Sequence, residues 1–264
     1  MQKVTLFPEL DQISKDELKK AENLFKIFGD IHIFAISVDE GIQGYRDKSI
    51  EIAEAFCKSL NIEHHSVSFN EQLNFQLDDI KTDNFCTHCG VFRRSLLNKK
   101  AHELRADKLA VAHNMDDEVQ SILMNIFRGD ILKFQRLGAN PPSIGDEKLV
   151  PRIKPLRDIP EKEVKLYAIL NSIPYHDGEC PHSFNNVRRD VQKIINDMEE
   201  RYAGTKHQII SFYDKINPPG RSVQRALGRC KMCGEASSAG ICRACVLAEK
   251  INAGKLKGIT EVKL

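Results

Sequence analysis

The sequence predicts an α/β fold: a doubly wound parallel sheet followed by a small metal-bound module at the carboxyl end. Three observations carry this. Short β-branched runs alternate with helical patterns across short links, which is how parallel strands joined by crossover helices read. The 264 residues are 41% hydrophobic with only 10 prolines, enough for one large core and an appendage. Four of the eight cysteines, Cys230, Cys233, Cys242 and Cys245, form a complete C-x2-C…C-x2-C quartet near the end.

The elements follow in order. Ser14 can cap a helix over residues 14–28, with Glu17 at the capping-box position and Gly29 as its stop. The apolar run Ile31–Val38 reads as a buried strand. Asp47–Leu60 is a helix with Ile50, Ala53 and Cys57 on one face, and Glu63–Phe69 is a second strand. Cys89–Arg105 reads as a helix and Lys108–Ala112 as a strand. Asn114 then caps a helix to Phe127, with Val119, Ile122, Leu123 and Ile126 at helical spacing. Asn140–Gly145 is a loop, Pro160 suits the first turn of a helix ending near Asn171, and another helix spans about Asn186–Tyr202. Asn217-Pro-Pro-Gly220 is the clearest linker, which divides the chain into residues 1–216 and 217–264. Ligands of such sheets sit beyond the carboxyl ends of the strands, where the loops after Val38 and Ala112 lie.

The formal charge of +2 is unevenly spread. Asn217–Leu264 carries nine Lys/Arg against three Glu, so a basic module follows a mildly acidic body. That distribution suits a polyanionic partner, and equally a solvated lysine-rich end. The run Ile31–Val38 is far too short to cross a bilayer, and no signal peptide is visible. The expectation is a cytosolic protein without a membrane partner, whose cysteines are metal ligands rather than disulfides.

The quartet has zinc-ribbon spacing, two knuckles eight residues apart with Gly234 and Gly240 turning the chain. Four thiolates make a closed structural site, and a segment so poor in large apolar residues needs its metal to fold. Cys86 and Cys89 form a second C-x2-C pair at a helix start, with Cys180 in Glu-Cys-Pro-His as the plausible third partner. Unconnected cysteines, a redox pair and a cluster with three protein ligands are the alternatives, and His88 and His182 are possible substitute ligands for zinc. His113-Asn-Met-Asp-Asp-Glu118 follows a strand and opens a helix, so its carboxylates meet the helix dipole. Asp116 and Asp117 are also candidates to hold Mg2+ or move a proton. Asp39-Glu-Gly-Ile-Gln-Gly-Tyr-Arg46 leaves a strand with two glycines, suiting close approach to a ligand. Arg93, Arg94, Lys99 and Lys100 on one helix, and Arg152, Lys154 and Arg157 around Pro155, are candidates for RNA phosphates.

Five strings occur in one order: Val38-Asp-Glu-Gly-Ile-Gln-Gly-Tyr-Arg46, Cys86-Thr-His-Cys-Gly-Val-Phe-Arg-Arg94, His113-Asn-Met-Asp-Asp-Glu-Val-Gln120, Val150-Pro-Arg-Ile-Lys-Pro155 and Glu179-Cys-Pro181, with the quartet after them. Together they closely resemble the tRNA 2-thiouridine synthetases of the TtuA type, from about Leu24 to the end. The resemblance implies an adenine-nucleotide α-hydrolase fold and thiolation of a tRNA uridine. ATP, with Mg2+, adenylates the C2 carbonyl oxygen, and sulfur replaces it. It implies that Cys86, Cys89 and Cys180 hold a 4Fe–4S cluster whose fourth iron carries the sulfide. It further implies Asp117 as an acid/base group with Asp116 beside it, and Arg93 as a cation offsetting phosphate charge, at a position where some members have a functionally important lysine. Val38, Asp39 and His113 fall at the nucleotide. A thiocarboxylated ubiquitin-like sulfur donor and a homodimer are implied as partners. The cytidine-thiolating relatives also use three cysteines but lack the quartet.

One part of the family pattern is not matched. Members start with a zinc finger, a strand and the loop Ser-Gly-Gly-Lys-Asp-Ser. In register with that loop stands Gln12-Ile-Ser-Lys-Asp-Glu17, where Lys15 and Asp16 match but both glycines do not. Glycines let backbone N–H groups wrap a phosphate. The expectation is therefore either a thiolating enzyme with an incomplete amino end or a non-catalytic RNA- or partner-binding metalloprotein.

Overall fold

The structure, a computed structural model, describes residues 32–80, 82, 84–138, 147–183, 186–217 and 227–253. The chain divides after Phe34, and the elements below belong to the part Ala35–Leu264, with Phe34 at its border. The expected helix 14–28 with Lys15 and Asp16, the loop Asn140–Gly145 and the linker beyond Asn217 lie outside the described residues.

Strand β1 (Phe34–Asp39) leads into helix α1 (Arg46–Ser59) and strand β2 (Glu63–Ser68), close to expectation. A short helix α2 (Phe69–Leu73) follows, capped by Ser68. Helix α3 (Phe85–Glu103) begins four residues earlier than its periodicity suggested, so Cys86 and Cys89 share one face of its first turns. Strand β3 (Leu109–Ala110) precedes α4 (Met115–Phe127) and the one-turn α5 (Ile131–Phe134). Strand β4 (Arg152–Ile153), α6 (Glu161–Leu170), α7 (Val187–Arg201) and α8 (Thr205–Ile216) complete the body. Strands β5 (Gly228–Arg229) and β6 (Ala236–Ser237) and helix α9 (Arg243–Asn252) carry the quartet.

Among the described residues the strands hydrogen-bond as three pairs rather than one continuous ladder. Strands β3 and β4 run parallel with Leu109 opposite Arg152, as crossover connections require. Strands β5 and β6 form an antiparallel knuckle. The pairs β1–β2 and β3–β4 meet through packing: Ile36 lies against the cluster of Ala101, Leu109 and Val150.

The main core lies beside β1 and α3. Phe69, Phe75 and Phe92 make three edge-to-face contacts with ring centroids 5.8, 5.9 and 5.2 Å apart. Each such pair adds about 0.5–1.5 kcal/mol beyond burial. Leu247, Ala248 and Ile251 of α9 belong to the same cluster, so the quartet's helix packs on the body. A second cluster joins Met115, Val119 and Ile122 of α4 to Ile195 of α7 and Ile210 and Tyr213 of α8. Helix α8 was not foreseen because Gly204 stands at its start without a capping side chain. Among the described residues no helix is long and apolar enough to cross a membrane.

Candidate functional site

The quartet's geometry is that of one small ion. Cys230 and Cys245 sulfurs are 3.7 Å apart, as are those of Cys233 and Cys242, and all four ligand atoms lie within 4.8 Å of one another. Four sulfurs about 2.3 Å from a tetrahedral zinc would stand about 3.8 Å apart, so the cage fits. Gly234 makes the turn after Cys233 at φ +71°. The Cys242 amide donates to the Cys230 sulfur at 3.2 Å and the Cys245 amide to the Cys242 sulfur at 3.4 Å. Burial works against the Cys230 thiolate, but the amides of Cys233, Cys242 and Met232 bring its pKa down to about 6.

The second site gathers on the loop after β1. Gly41 takes φ +68°, and a Cβ there would stand 2.6 Å from Cβ of Gln76. Gly41→Ala therefore forces both strain and collision, with an expected loss of about 1–3 kcal/mol read by denaturant unfolding. Asp39 accepts from the Gly41 amide at 2.8 Å, so this carboxylate shapes its own loop, while Val38 is buried in the core. Asp78 ties the loop to the Cys180 turn: Oδ2 accepts from the Gln43 amide at 2.9 Å, and Oδ1 lies 2.6 Å from Nε2 of His182. The His182 ring stacks on Phe85 with centroids 4.1 Å apart. His88 is buried with Nδ1 2.9 Å from the Asn84 carbonyl. Both histidines are thus engaged in holding the fold around the cysteines.

Cys86, Cys89 and Cys180 converge here. The Cys86 thiol lies 3.8 Å from the His182 carbonyl, and Cys89 and Cys180 pack against the same core cluster. Cys180 feels the charge of both Cys86 and Glu40, and burial raises its pKa above the ordinary thiol range. Burial, and then Glu40, push the Cys89 thiol up to about 11. Among the described residues only the quartet is gathered closely enough to hold one ion. A polynuclear cluster takes each thiolate on a different metal atom, so it does not require its sulfurs to converge on one point. Within the trio's reach lies Glu40, fully buried, with Arg46 bonded to both its oxygens and Arg93 Nη1 at 3.5 Å.

The His113–Glu118 string divides its labour. Asn114 accepts from the Asp117 amide at 3.0 Å and donates its own amide to Asp117 at 3.3 Å, a reciprocal capping box. Asp117 remains partly exposed and receives Arg188 Nη1 at 3.1 Å. Asp116 is buried, paired with Lys206 and accepting the Glu161 amide at 2.8 Å. Glu118 is buried against Lys154 at 2.5 Å, and Arg157 makes a two-point pair with Asp214 at 3.0 and 2.6 Å. Those two basic residues are therefore committed inside the protein. Crowding by protein lowers the His113 pKa, against the pull of Asp117. Arg152 donates to the Arg94 carbonyl at 3.2 Å, and among the described residues neither guanidinium meets a carboxylate. Desolvation lowers the pKa of both, and Arg152 adds to the effect on Arg94.

The start of α7 touches both groups. Asn186 donates to the Cys86 sulfur at 3.3 Å, and two residues on Arg188 holds Asp117 and also Gln120 at 3.0 Å. Sequence alone did not single out Glu40, Asp78, Arg188 or Lys206. Glu40 stood in the quoted loop string, but nothing distinguished it from Asp39 beside it.

Helices alternate with short strands, one pair of them parallel, and a cysteine quartet able to hold a metal ion packs on them, the layout of an α/β protein with a small metal-binding module. Residues 13–197 match the family described as PP-loop domain. The chain is 41% identical over 240 residues to the tRNA 2-thiolation protein NcsA of Haloferax volcanii, covering 84% of this chain and 74% of that one. It is 37% identical over 243 residues to a probable sulfurtransferase of Methanocaldococcus jannaschii, covering 88% and 70%. The solved U34-tRNA thiolase NcsA from Methanococcus maripaludis with its [4Fe-4S] cluster superimposes with a TM-score of 0.73 at 37% identity, over 95% of this chain and 80% of that one. The chain belongs to the PP-loop family and, within it, to the tRNA 2-thiolation proteins.

Proposed function

We propose that this chain is a sulfurtransferase that thiolates a tRNA uridine at C2 in an ATP-dependent reaction. The observation that carries the proposal is the start of α7, where Asn186 touches Cys86 and, two residues on, Arg188 touches Asp117, so one helix start bridges the cysteine trio and a partly exposed carboxylate. A uridine carbonyl oxygen is a poor leaving group. Attack of that oxygen on the α-phosphorus of ATP releases pyrophosphate and converts it to a good one; a sulfur nucleophile then displaces AMP. Cys86, Cys89 and Cys180 are the residues that would hold a 4Fe–4S cluster, and three protein ligands leave one iron free to take sulfide. Asp117 serves as the acid/base group, oriented by Arg188 and the capping box. Asp116 braces the same helix from the core, and Arg94 and Arg152 face the phosphates, while Arg93 is turned to Glu40 beside the cysteines. The nucleotide lies by Val38, Asp39 and His113. The quartet holds zinc as a structural ion. A thiocarboxylated ubiquitin-like protein as sulfur donor, a homodimer and a cytosolic location complete the proposal.

Asp117→Asn tests it. Its near-isosteric amide keeps the capping geometry, so the variant should fold and load iron while tRNA thiolation falls by about 10²-fold or more. Thiolation at the parent rate would remove Asp117 from the chemistry. A second reading, a non-catalytic RNA- or partner-binding metalloprotein, is favoured by Gln12-Ile-Ser-Lys-Asp-Glu17, which lacks the loop glycines. Equilibrium binding of ATP to the purified chain separates the two, since the catalytic reading requires it.

A further inference from the structure

Among the described residues Glu40 places a buried carboxylate against one of the three sulfurs, and by sign it is the wrong group to find there. Its side chain is fully buried, and Oε1 lies 4.0 Å from the Cys89 sulfur. Thiolates binding iron would face its negative charge across low-dielectric protein, where like charges repel strongly. The surroundings show what it does instead. Arg46 grips both carboxylate oxygens, Nη2 to Oε1 at 2.7 Å and Nε to Oε2. Arg93 Nη1 approaches Oε1 at 3.5 Å. Both oxygens are thereby engaged, which makes Glu40 a poor iron ligand and a good anchor.

The backbone fixes that anchor. The Glu40 carbonyl accepts from the Leu77 amide at 2.8 Å, and the next residue is Gly41 in its left-handed turn against Gln76. The carboxylate therefore points inward by construction, while the two arginines are long side chains rooted in the first turn of α1 and in α3. A two-point carboxylate clamp restricts a guanidinium far more than a single contact does. Two cations against one anion leave net positive charge beside the trio.

We propose that Glu40 is a positioning residue of the sulfur site, holding Arg46 and Arg93 so that their charges face Cys89 and offset the negative charge of a thiolate-bound cluster. The proposal rests on the reading of the trio as cluster ligands.

A double-mutant cycle on the reduction potential of the anaerobically reconstituted full chain tests it. Arg93→Met removes a fixed cation and should shift the potential downward, because electron uptake loses a favourable charge. In the Glu40→Gln background Arg93 is no longer held, so the same substitution should produce less than half that shift. Glu40→Asp, which keeps the charge but gives up one methylene of reach, supplies the cycle a second time and should also shrink the shift. An equal shift from Arg93→Met in all three backgrounds, at equal iron content, would overturn the proposal. Failure of the underlying reading shows separately: the parent chain then takes up no iron, or keeps it in Cys180→Ser.

Discussion

Cys180→Ser is expected to strip most of the iron from the anaerobically prepared protein and to leave its zinc at about one ion per chain. The parent should hold about four irons and show the brown absorption of a cluster. Cys180 comes from a turn pinned by Asp78 through His182, and it closes a site that Cys86 and Cys89 share on one face of α3. With one sulfur gone, two thiolates on one helix remain, too few protein ligands to keep the cluster. The quartet is built from other elements, with its own amide–sulfur hydrogen bonds. Cys233→Ser should do the reverse, releasing zinc while iron stays. It should also lower stability, because α9 contributes Leu247, Ala248 and Ile251 to the main core and is oriented by the metal cage. Metal analysis of both variants reads the result. Iron unchanged in Cys180→Ser would show that Cys180 is not a ligand.

Much of this site was legible in the sequence because its chemistry is carried by rare residue types at fixed spacing. Cysteines in C-x2-C pairs announce themselves, and Asn114 before an acidic, apolar-periodic run announces a helix start. The sequence also located the loop after β1 by its glycines. What stayed hidden is what charged residues do to one another across the fold. Lys154 and Arg157 looked like groups for RNA phosphates, yet Glu118 and Asp214 take them inside. No spacing rule relates Glu118 to Lys154 or Asp214 to Arg157, because the partners lie on different elements and meet only after packing. Arg94 and Arg152 looked no different, yet they meet no carboxylate among the described residues. The sheet shows a similar limit. Alternation of strands and helices indicates parallel pairing, which β3 and β4 obey, but not how many ladders the strands form.

Asp116 and Asp117 were indistinguishable in the sequence, and substituting each should have opposite kinds of effect. Asp116→Ala is expected to lower the unfolding free energy by about 3–5 kcal/mol, because it leaves the Lys206 ammonium buried without its counter-charge. Domain stabilities are typically about 5–15 kcal/mol, so this single change is a large fraction of the total. Lys206 is 5% exposed, and its remaining partner Asn196 at 2.8 Å supplies a dipole but no charge. The lost carboxylate also served the Glu161 amide at the start of α6, so α4, α6 and α8 all lose a shared fastening. Adding Lys206→Met removes the stranded charge with an apolar chain of similar length. The double variant should therefore be more stable than Asp116→Ala alone, a recovery that denaturant unfolding measures directly. A double variant no more stable than the single one would mean that Lys206 reaches solvent when Asp116 is gone. Activity separates the neighbours again. Where both proteins are folded, Asp116→Asn should retain more tRNA thiolation than Asp117→Asn, since only Asp117 has a side chain open to a bound substrate.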